Sequence, residues 1–336
     1  MAKVQKDQEY YDRIKEKFAS ERDLRLGYRP QGTDQYTSDF SGAKQKYGVD
    51  PYVRSSNARE AINDSVEVLF IGGGFSALLT SARLREKGIE SIRIVERAGD
   101  VGGTWYWNRY PGVACDVISY DYLPLLDEMN YVPKRRYSGG EEILEHSRAI
   151  ARKYELYELE EFQTTVTSTV WNSDEKMWHV RTDRDDLMRA RFVVCANGTL
   201  SKPKLAKIEG IDEFSGHSFH TSRWDYDYTG KDLENLSDKR VGIIGTGATA
   251  VQAIPELGKR AKELFIFQRT PSSIDIRDDW ETDPEWASQR PKGWQAARRE
   301  KSLKAVEPSE SQLSLIHISE PTRRTPISYA VFCLKK

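Results

Sequence analysis

The chain has 336 residues, 51 lysines and arginines against 52 aspartates and glutamates, and a net charge of −1. This balance suits a soluble globular protein of about two domains and offers no basic excess for nucleic acid. No stretch approaches the roughly 18 consecutive apolar residues of a membrane helix, and the charged opening from Met1 to Lys17 lacks an apolar secretory core, so a cytoplasmic enzyme is expected. The three cysteines, Cys115, Cys195 and Cys333, form neither a C-x-x-C pair nor an even-numbered framework, which points to isolated thiols with no disulfide and no metal site. No protein partner is evident.

Residues 1–64 are polar and charged, with a helix-like run from Asp7 to Phe18 and then a Gly-, Ser- and Asp-rich stretch. They read either as an extension that wraps the enzyme or as a disordered tail. From Val66 the character changes. Val66 to Ile71 is a short apolar, β-branched run that stops at Gly72-Gly73-Gly74; helical spacing follows from Ala77 to Lys87 and ends at Gly88. A second strand from Ile92 to Val95 closes on Glu96 and completes a βαβ unit. Phe192 to Ala196 is a buried-type strand ending in Asn197-Gly198-Thr199, a crossing point between domains. The same grammar then recurs: strand Arg240 to Ile244, turn Gly245-Thr246-Gly247-Ala248-Thr249-Ala250, helix Val251 to Ala261, strand Leu264 to Phe267. The fold class predicted is α/β, with two Rossmann-like dinucleotide-binding domains. The expected boundaries are an extension over 1–64, a first dinucleotide-binding domain over 65–202 and a second over 203–303.

In such a fold the first glycine permits the tight turn, the second lets backbone approach the pyrophosphate, and a small third residue lets helix pack on strand. Gly72, Gly74 and Ala77 fill those places. A pyrophosphate is expected on the N-terminus of the following helix, where free N–H groups favour negative charge. Glu96, at the next strand end, can accept both ribose hydroxyls, and its charge would repel a 2′-phosphate; the site suits FAD or NAD rather than NADP. In the second unit Gly245, Gly247 and Ala250 repeat the turn logic, but the next strand ends at Phe267-Gln268-Arg269-Thr270 with no acid. A cation and a hydroxyl there match a 2′-phosphate and favour NADPH.

Just past Glu96 stands Gly102-Gly103-Thr104-Trp105-Tyr106-Trp107-Asn108-Arg109-Tyr110-Pro111-Gly112, followed by Asp116. The aromatic spacing is neither two nor three and a half, so a platform against a flat ring is expected rather than a strand or helix. This stretch resembles a fingerprint of Baeyer–Villiger monooxygenases, A/G-G-x-W-x-x-x-x-F/Y-P-G/M-x-x-x-D, at every fixed position. A second family fingerprint, F-x-G-x-x-x-H-x-x-x-W-P/D, is matched by Phe214, Gly216, His220, Trp224 and Asp225. The resemblance spans about Val66 to Leu303, and it implies that 65–202 is the first half of an FAD domain and 203–303 a truncated NADPH domain, both incomplete in this chain. It implies oxygen insertion beside a ketone carbonyl to give an ester or lactone, using FAD, NADPH and O₂ with a small-molecule ketone as substrate. Two alternatives stand beside it: an N- or S-oxygenating flavin monooxygenase, and a non-catalytic nucleotide-binding fragment for the chain as it stands.

Carried over residue by residue, the resemblance places Ser76 and Ala77 at the FAD pyrophosphate, Glu96 at ribose, and Thr104, Trp105, Tyr106 and Trp107 along the isoalloxazine side. Asp116 and Tyr122 also approach the flavin, and Val166 lies near adenine. Thr246, Gly247, Ala248, Thr249, Ala250, Val251 and Gln252 follow the NADPH pyrophosphate, with Arg269 and Thr270 at the 2′-phosphate. Asp116 would orient the family's active-site arginine, which lies beyond the recognisable sequence. His220 and Trp224 belong to the connection between the domains and would govern coupling. The residues from Ser311 to Lys336 resemble a translated sequencing-adapter peptide and are expected to continue nothing in the fold, so that His317 and Cys333 carry no functional weight.

Overall fold

In the computed structural model the described residues are 8–27, 36–38, 40–55, 58–268, 277–306 and 330–334. Strand β1, Ser65–Ile71, lies at the centre of a six-stranded sheet. It pairs in parallel with β2, Ile92–Val95, on one side. On the other side it pairs in parallel with a long strand, Leu187–Cys195. The chain reaches that strand through a two-residue strand β3, Glu160–Glu161, beside β2, and then a hairpin of β4, Val166–Asn172, with β5, Met177–Thr182; Leu187–Cys195 is therefore β6. The order is β3-β2-β1-β6-β5-β4.

Helix α1, Gln8–Gly27, precedes the sheet, and α2, Phe75–Glu86, crosses from β1 to β2. Leu69 and Phe70 are completely buried on opposite faces of β1, as a parallel strand covered on both sides requires. Phe70 and Ile94 meet Ala77, Leu78 and Ala82 of α2, and a methyl-sized residue at 77 is what lets the helix lie so close. The helix stops where Gly88, at φ +80°, takes a left-handed turn that other residues resist.

A second sheet begins with β7, His217–His220, and β8, Arg240–Ile244; β8 pairs in parallel with β9, Glu263–Phe267, across a helix Ala248–Arg260. This second βαβ unit has its own core of Val241, Ile243, Ala250, Ala253, Leu257 and Trp224. Between β7 and β8 runs β10, Ala330–Leu334, antiparallel to both. The expectation that the tail continues nothing in the fold is corrected here for these five residues. An open edge of β8 presents unpaired N–H and C=O groups, and an apolar run such as Ala330-Val331-Phe332-Cys333-Leu334 can pair with it whatever its origin. His317 lies outside the described residues.

Parts of the N-terminal extension pack on the sheets. Tyr47 is buried with its hydroxyl 2.8 Å from Ser218 Oγ on β7, Tyr106 donates to Asp50 Oδ2 at 2.8 Å, and Arg59 forks onto Asp186 in the turn before β6. Residues 40–55 and 58–64 thus run across both sheets.

Candidate active site

The first glycine turn is built by contact as much as by conformation. Gly72 sits at φ +106°, and a Cβ there would lie 2.6 Å from the Ala196 carbonyl oxygen at the end of β6. Gly103, at φ +52°, faces Gly74 so closely that a Cβ would come within 2.9 Å of the Gly74 Cα, and the Gly102 N–H donates to the Gly73 carbonyl at 3.0 Å. The family fingerprint therefore closes directly on the dinucleotide turn. Glu96 is 6 % exposed; its carboxylate accepts from the N–H of Gly73 and of Ala98, each at 2.6 Å. Burial pushes this carboxyl upward, and the two N–H groups oppose the shift. Each carboxylate oxygen keeps a further acceptor direction, so the residues fit a ribose diol. Ser76 is exposed on the first turn of α2, and Ala77 is buried beneath it.

The aromatic stretch departs from the flat-ring platform expected of it. Thr104–Trp107 is a single helical turn, α3, with Thr104 exposed and Trp105, Tyr106 and Trp107 buried. One turn is too short to show a helical period, and its three aromatics leave it in three directions. Trp105 donates through Nε1 to the Tyr122 hydroxyl at 2.9 Å, and Tyr122 also lies against the Phe75 ring. Tyr106 is held by Asp50. Trp107 carries the Arg223 guanidinium 3.7 Å from its ring centroid and Arg97 at 5.2 Å, and both arginines donate to the Ser201 carbonyl. Tyr106 and Trp107 thus present their rings to the protein interior. Val166 opens β4, half-buried against the β1 and β5 side of the sheet.

Asp116 is exposed and accepts from Arg277 Nη2 at 2.6 Å and from Gln252 Nε2 at 3.1 Å. Sequence reasoning missed Arg277 as Asp116's partner, since it lies 161 positions away with no spacing signal. Gln252 requires a correction. Its oxygen accepts from the Tyr110 hydroxyl and the Ala114 N–H, and its amide donates to the Ala114 carbonyl and Asp116. This saturates the side chain on the first fingerprint rather than on a coenzyme. The rest of the second turn is laid out as a dinucleotide loop. Gly245 is at φ +101° with its N–H on the Phe267 carbonyl, Gly247 precedes the helix Ala248–Arg260 that carries Thr249 and Val251, and Ala250 is completely buried against β8. Thr246 Oγ1 accepts from Gln268 Nε2 at 3.1 Å. Arg269 and Thr270 lie outside the described residues.

His220 and Trp224 are both buried. The His220 Nδ1 accepts from the Ser222 N–H at 3.1 Å and lies 2.8 Å from its hydroxyl, whereas Nε2 is buried with no hydrogen-bond partner. Burial, with Arg223 close by, pushes the imidazole pKa down to about 3, so the ring is neutral at physiological pH. Trp224 packs edge-on against Phe219 and donates to Thr229 Oγ1. Asp225 caps the next turn by accepting from the Tyr228 N–H. Phe214 is part-buried in the cluster around Tyr47 and Leu205. Arg223 donates to the Ser222 hydroxyl and carbonyl while stacking on Trp107, so His220, Ser222, Arg223 and Trp107 form one connection between the fingerprints.

Known proteins place this architecture. The model of the FMO-like family, described as flavin-binding monooxygenase-like, matches residues 65–282. A Baeyer–Villiger monooxygenase, ATR8, of Stachybotrys chlorohalonatus is 48 % identical over 289 residues, covering 85 % of this chain and 46 % of the relative. Among solved structures, a polycyclic ketone monooxygenase from Thermothelomyces thermophila superposes with a TM-score of 0.79 at 38 % identity, over 86 % of this chain and 50 % of that one. An oxidized steroid monooxygenase bound to NADP gives 0.64 at 37 %, over 70 % of this chain and 44 % of that one. The chain spans about half the length of the relatives it matches. With both glycine turns, both fingerprints and this similarity in hand, the chain belongs to the flavin-binding monooxygenase-like family.

Proposed function

We propose that the complete protein is an FAD- and NADPH-dependent Baeyer–Villiger monooxygenase that inserts one atom of O₂ beside a ketone carbonyl to give an ester or lactone. The observation that carries this reading is the closure of the first fingerprint on the first dinucleotide turn, Gly103 against Gly74, with Asp116 of the same fingerprint holding a guanidinium. FAD, when bound, would supply the redox chemistry that couples NADPH to O₂. The chain's own contribution is placement. Glu96 accepts the ribose hydroxyls, the N-terminus of α2 with Ser76 and Ala77 receives the pyrophosphate, and Asp116 orients a cation toward developing negative charge. Residues 65–202 form the first half of the FAD domain and 203–303 part of the NADPH domain, with Arg269 and Thr270 meeting the 2′-phosphate. The described part of the extension, residues 40–55 and 58–64, ties the two together. No helix among the described residues is long and apolar enough to cross a membrane; the supply of NADPH suits the cytoplasm.

The test is the complete reading frame expressed with NADPH, O₂ bearing heavy oxygen, and a panel of cyclic ketones, amines and thioethers. Labelled lactone is the expected product. Labelled N-oxide or sulfoxide with no lactone would move the protein to the N- or S-oxygenating branch. The 336-residue chain alone is expected to bind flavin, visible as a protein-bound yellow spectrum, without turning over ketone.

A further inference from the structure

One buried acid beside the first glycine turn has no partner. Glu160 stands in the two-residue strand β3, opposite Ile94 of β2, and is 8 % exposed. Neither of its carboxyl oxygens has a hydrogen-bond partner, although both are buried. The carboxyl lies against the bare Cα of Gly73: a Cβ built there would be 3.2 Å from Glu160 Oε2 and 3.3 Å from Glu96 Cβ and Cγ. Its neighbour Glu161 turns the other way, onto Arg59 and Arg93. An unpaired buried carboxyl is costly, and groups left so in a folded protein call for a ligand or a function.

We propose that Glu160 is a ligand-binding residue of the dinucleotide site, its carboxyl hydrogen-bonding the adenosine ribose of a dinucleotide seated on the Gly72–Gly74 turn beside Glu96. The inference rests on reading that turn as a dinucleotide site. The division of labour follows from the surroundings. Glu96 accepts two N–H groups, which favour its charged form against burial; Glu160 has no donor aimed at it, and two carboxylates this close cannot both ionise cheaply. The other groups facing it are Asp100 and Tyr157, whose hydroxyl donates to Asp100, with Arg148 committed to Asp100 as well. Burial first, then Glu96 and Asp100, hold the Glu160 carboxyl protonated well above the ordinary carboxylate range. A neutral carboxyl offers one donor and one acceptor, the complement of a hydroxyl, where a second carboxylate would offer only acceptors. Because the protonated form is the binding form, affinity falls as pH rises through the Glu160 ionisation.

The test uses the 336-residue chain, with FAD binding followed by flavin fluorescence from mildly acid to mildly alkaline pH, and ADP against 2′-deoxy-ADP by calorimetry. The parent is expected to bind FAD more weakly toward alkaline pH. Glu160→Gln keeps a donor and an acceptor and should bind FAD with a flattened pH profile. Glu160→Leu should bind about tenfold more weakly, as for one lost neutral hydrogen bond, and should discriminate less between ADP and its deoxy form, Glu96 still accepting from the diol. Equal affinity and equal discrimination in parent and Glu160→Leu would overturn the inference and leave Glu160 a structural acid. A parent that binds neither FAD nor ADP at any pH would overturn the dinucleotide reading itself, and the inference with it.

Discussion

Arg59 is where the N-terminal strap meets the edge of the first sheet, and removing it gives a result whose size and pH dependence both follow from the structure. Its two Nη atoms fork onto the two oxygens of Asp186 at 2.7 Å each, Nε lies 2.9 Å from Glu161, and Asp186 is completely buried. Burial alone would raise the Asp186 pKa; the Arg59 fork, the Ile62 N–H and the Thr182 hydroxyl outweigh it and push it from an ordinary 3.8 to about 2. A depressed carboxylate contributes stability that is present above its ordinary pKa and lost as pH falls from about 4 toward 2; the shift is worth about 2 kcal/mol. Arg59→Ala leaves a buried carboxylate with its hydroxyl and amide donors but no cation, which costs about 3–5 kcal/mol at neutral pH. Asp186 then protonates more readily, so the deficit should shrink by about 2 kcal/mol on acidification. Urea unfolding followed by tryptophan fluorescence, parent against variant along a pH series, measures both quantities. A neutral-pH deficit below about 1 kcal/mol, or one that does not change with pH, would refute the argument.

Two further outcomes follow from the turns and the fingerprint connection. Gly103→Ala combines a left-handed φ of +52° with a Cβ 2.9 Å from the Gly74 Cα, and should destroy flavin binding; Gly88→Ala, at φ +80° with nothing within 4 Å, should cost about 1 kcal/mol of stability and leave flavin affinity intact, as visible absorbance of the purified variants will show. His220→Ala in the complete protein should still bind FAD and accept hydride but release more hydrogen peroxide per NADPH, because loss of the imidazole frees Ser222 and with it Arg223 over Trp107; unchanged coupling with only a lower Tm would make His220 a packing residue.

How much of this was legible depended on how local each cause was. The strands Ile92–Val95 and Arg240–Ile244 have the predicted ends because an apolar run stopped by a glycine turn or a strand-end acid marks its own limits. Helix α2 starts at Phe75, two residues before the predicted start, since its first turn owes nothing to periodicity and everything to Gly74 closing the turn. The hairpin of β4 and β5 went unread, although Val166–Asn172 and Met177–Thr182 flank a polar turn and carry the β-branched and aromatic residues strands favour. Leu187–Cys195 was recognised only from Phe192, because its first half alternates with arginines; the expected burial is reversed, with Met188 and Ala190 of that half buried and Phe192 and Cys195 exposed.

What the sequence hid is the partnership between residues far apart in it. The fingerprints specify which residues stand at fixed spacing but not that Arg223 lies on Trp107, or that Gln252 is spent on Tyr110, Ala114 and Asp116. Gly112 shows the difference. Its place in the pattern reads as a turn after proline, and its φ of +77° agrees, yet a Cβ there would also sit 2.5 Å from the Gln252 carbonyl oxygen. The glycine is needed twice, once for the chain's own direction and once because the helix Ala248–Arg260 of the second unit presses against it. Only the second reason explains why the side chain four bonds deep in that contact is a glutamine: its amide can meet the carbonyl, the N–H, the hydroxyl and the carboxylate that the turn exposes at that place. Spacing carries the first constraint, and the second exists only after the two units have folded together.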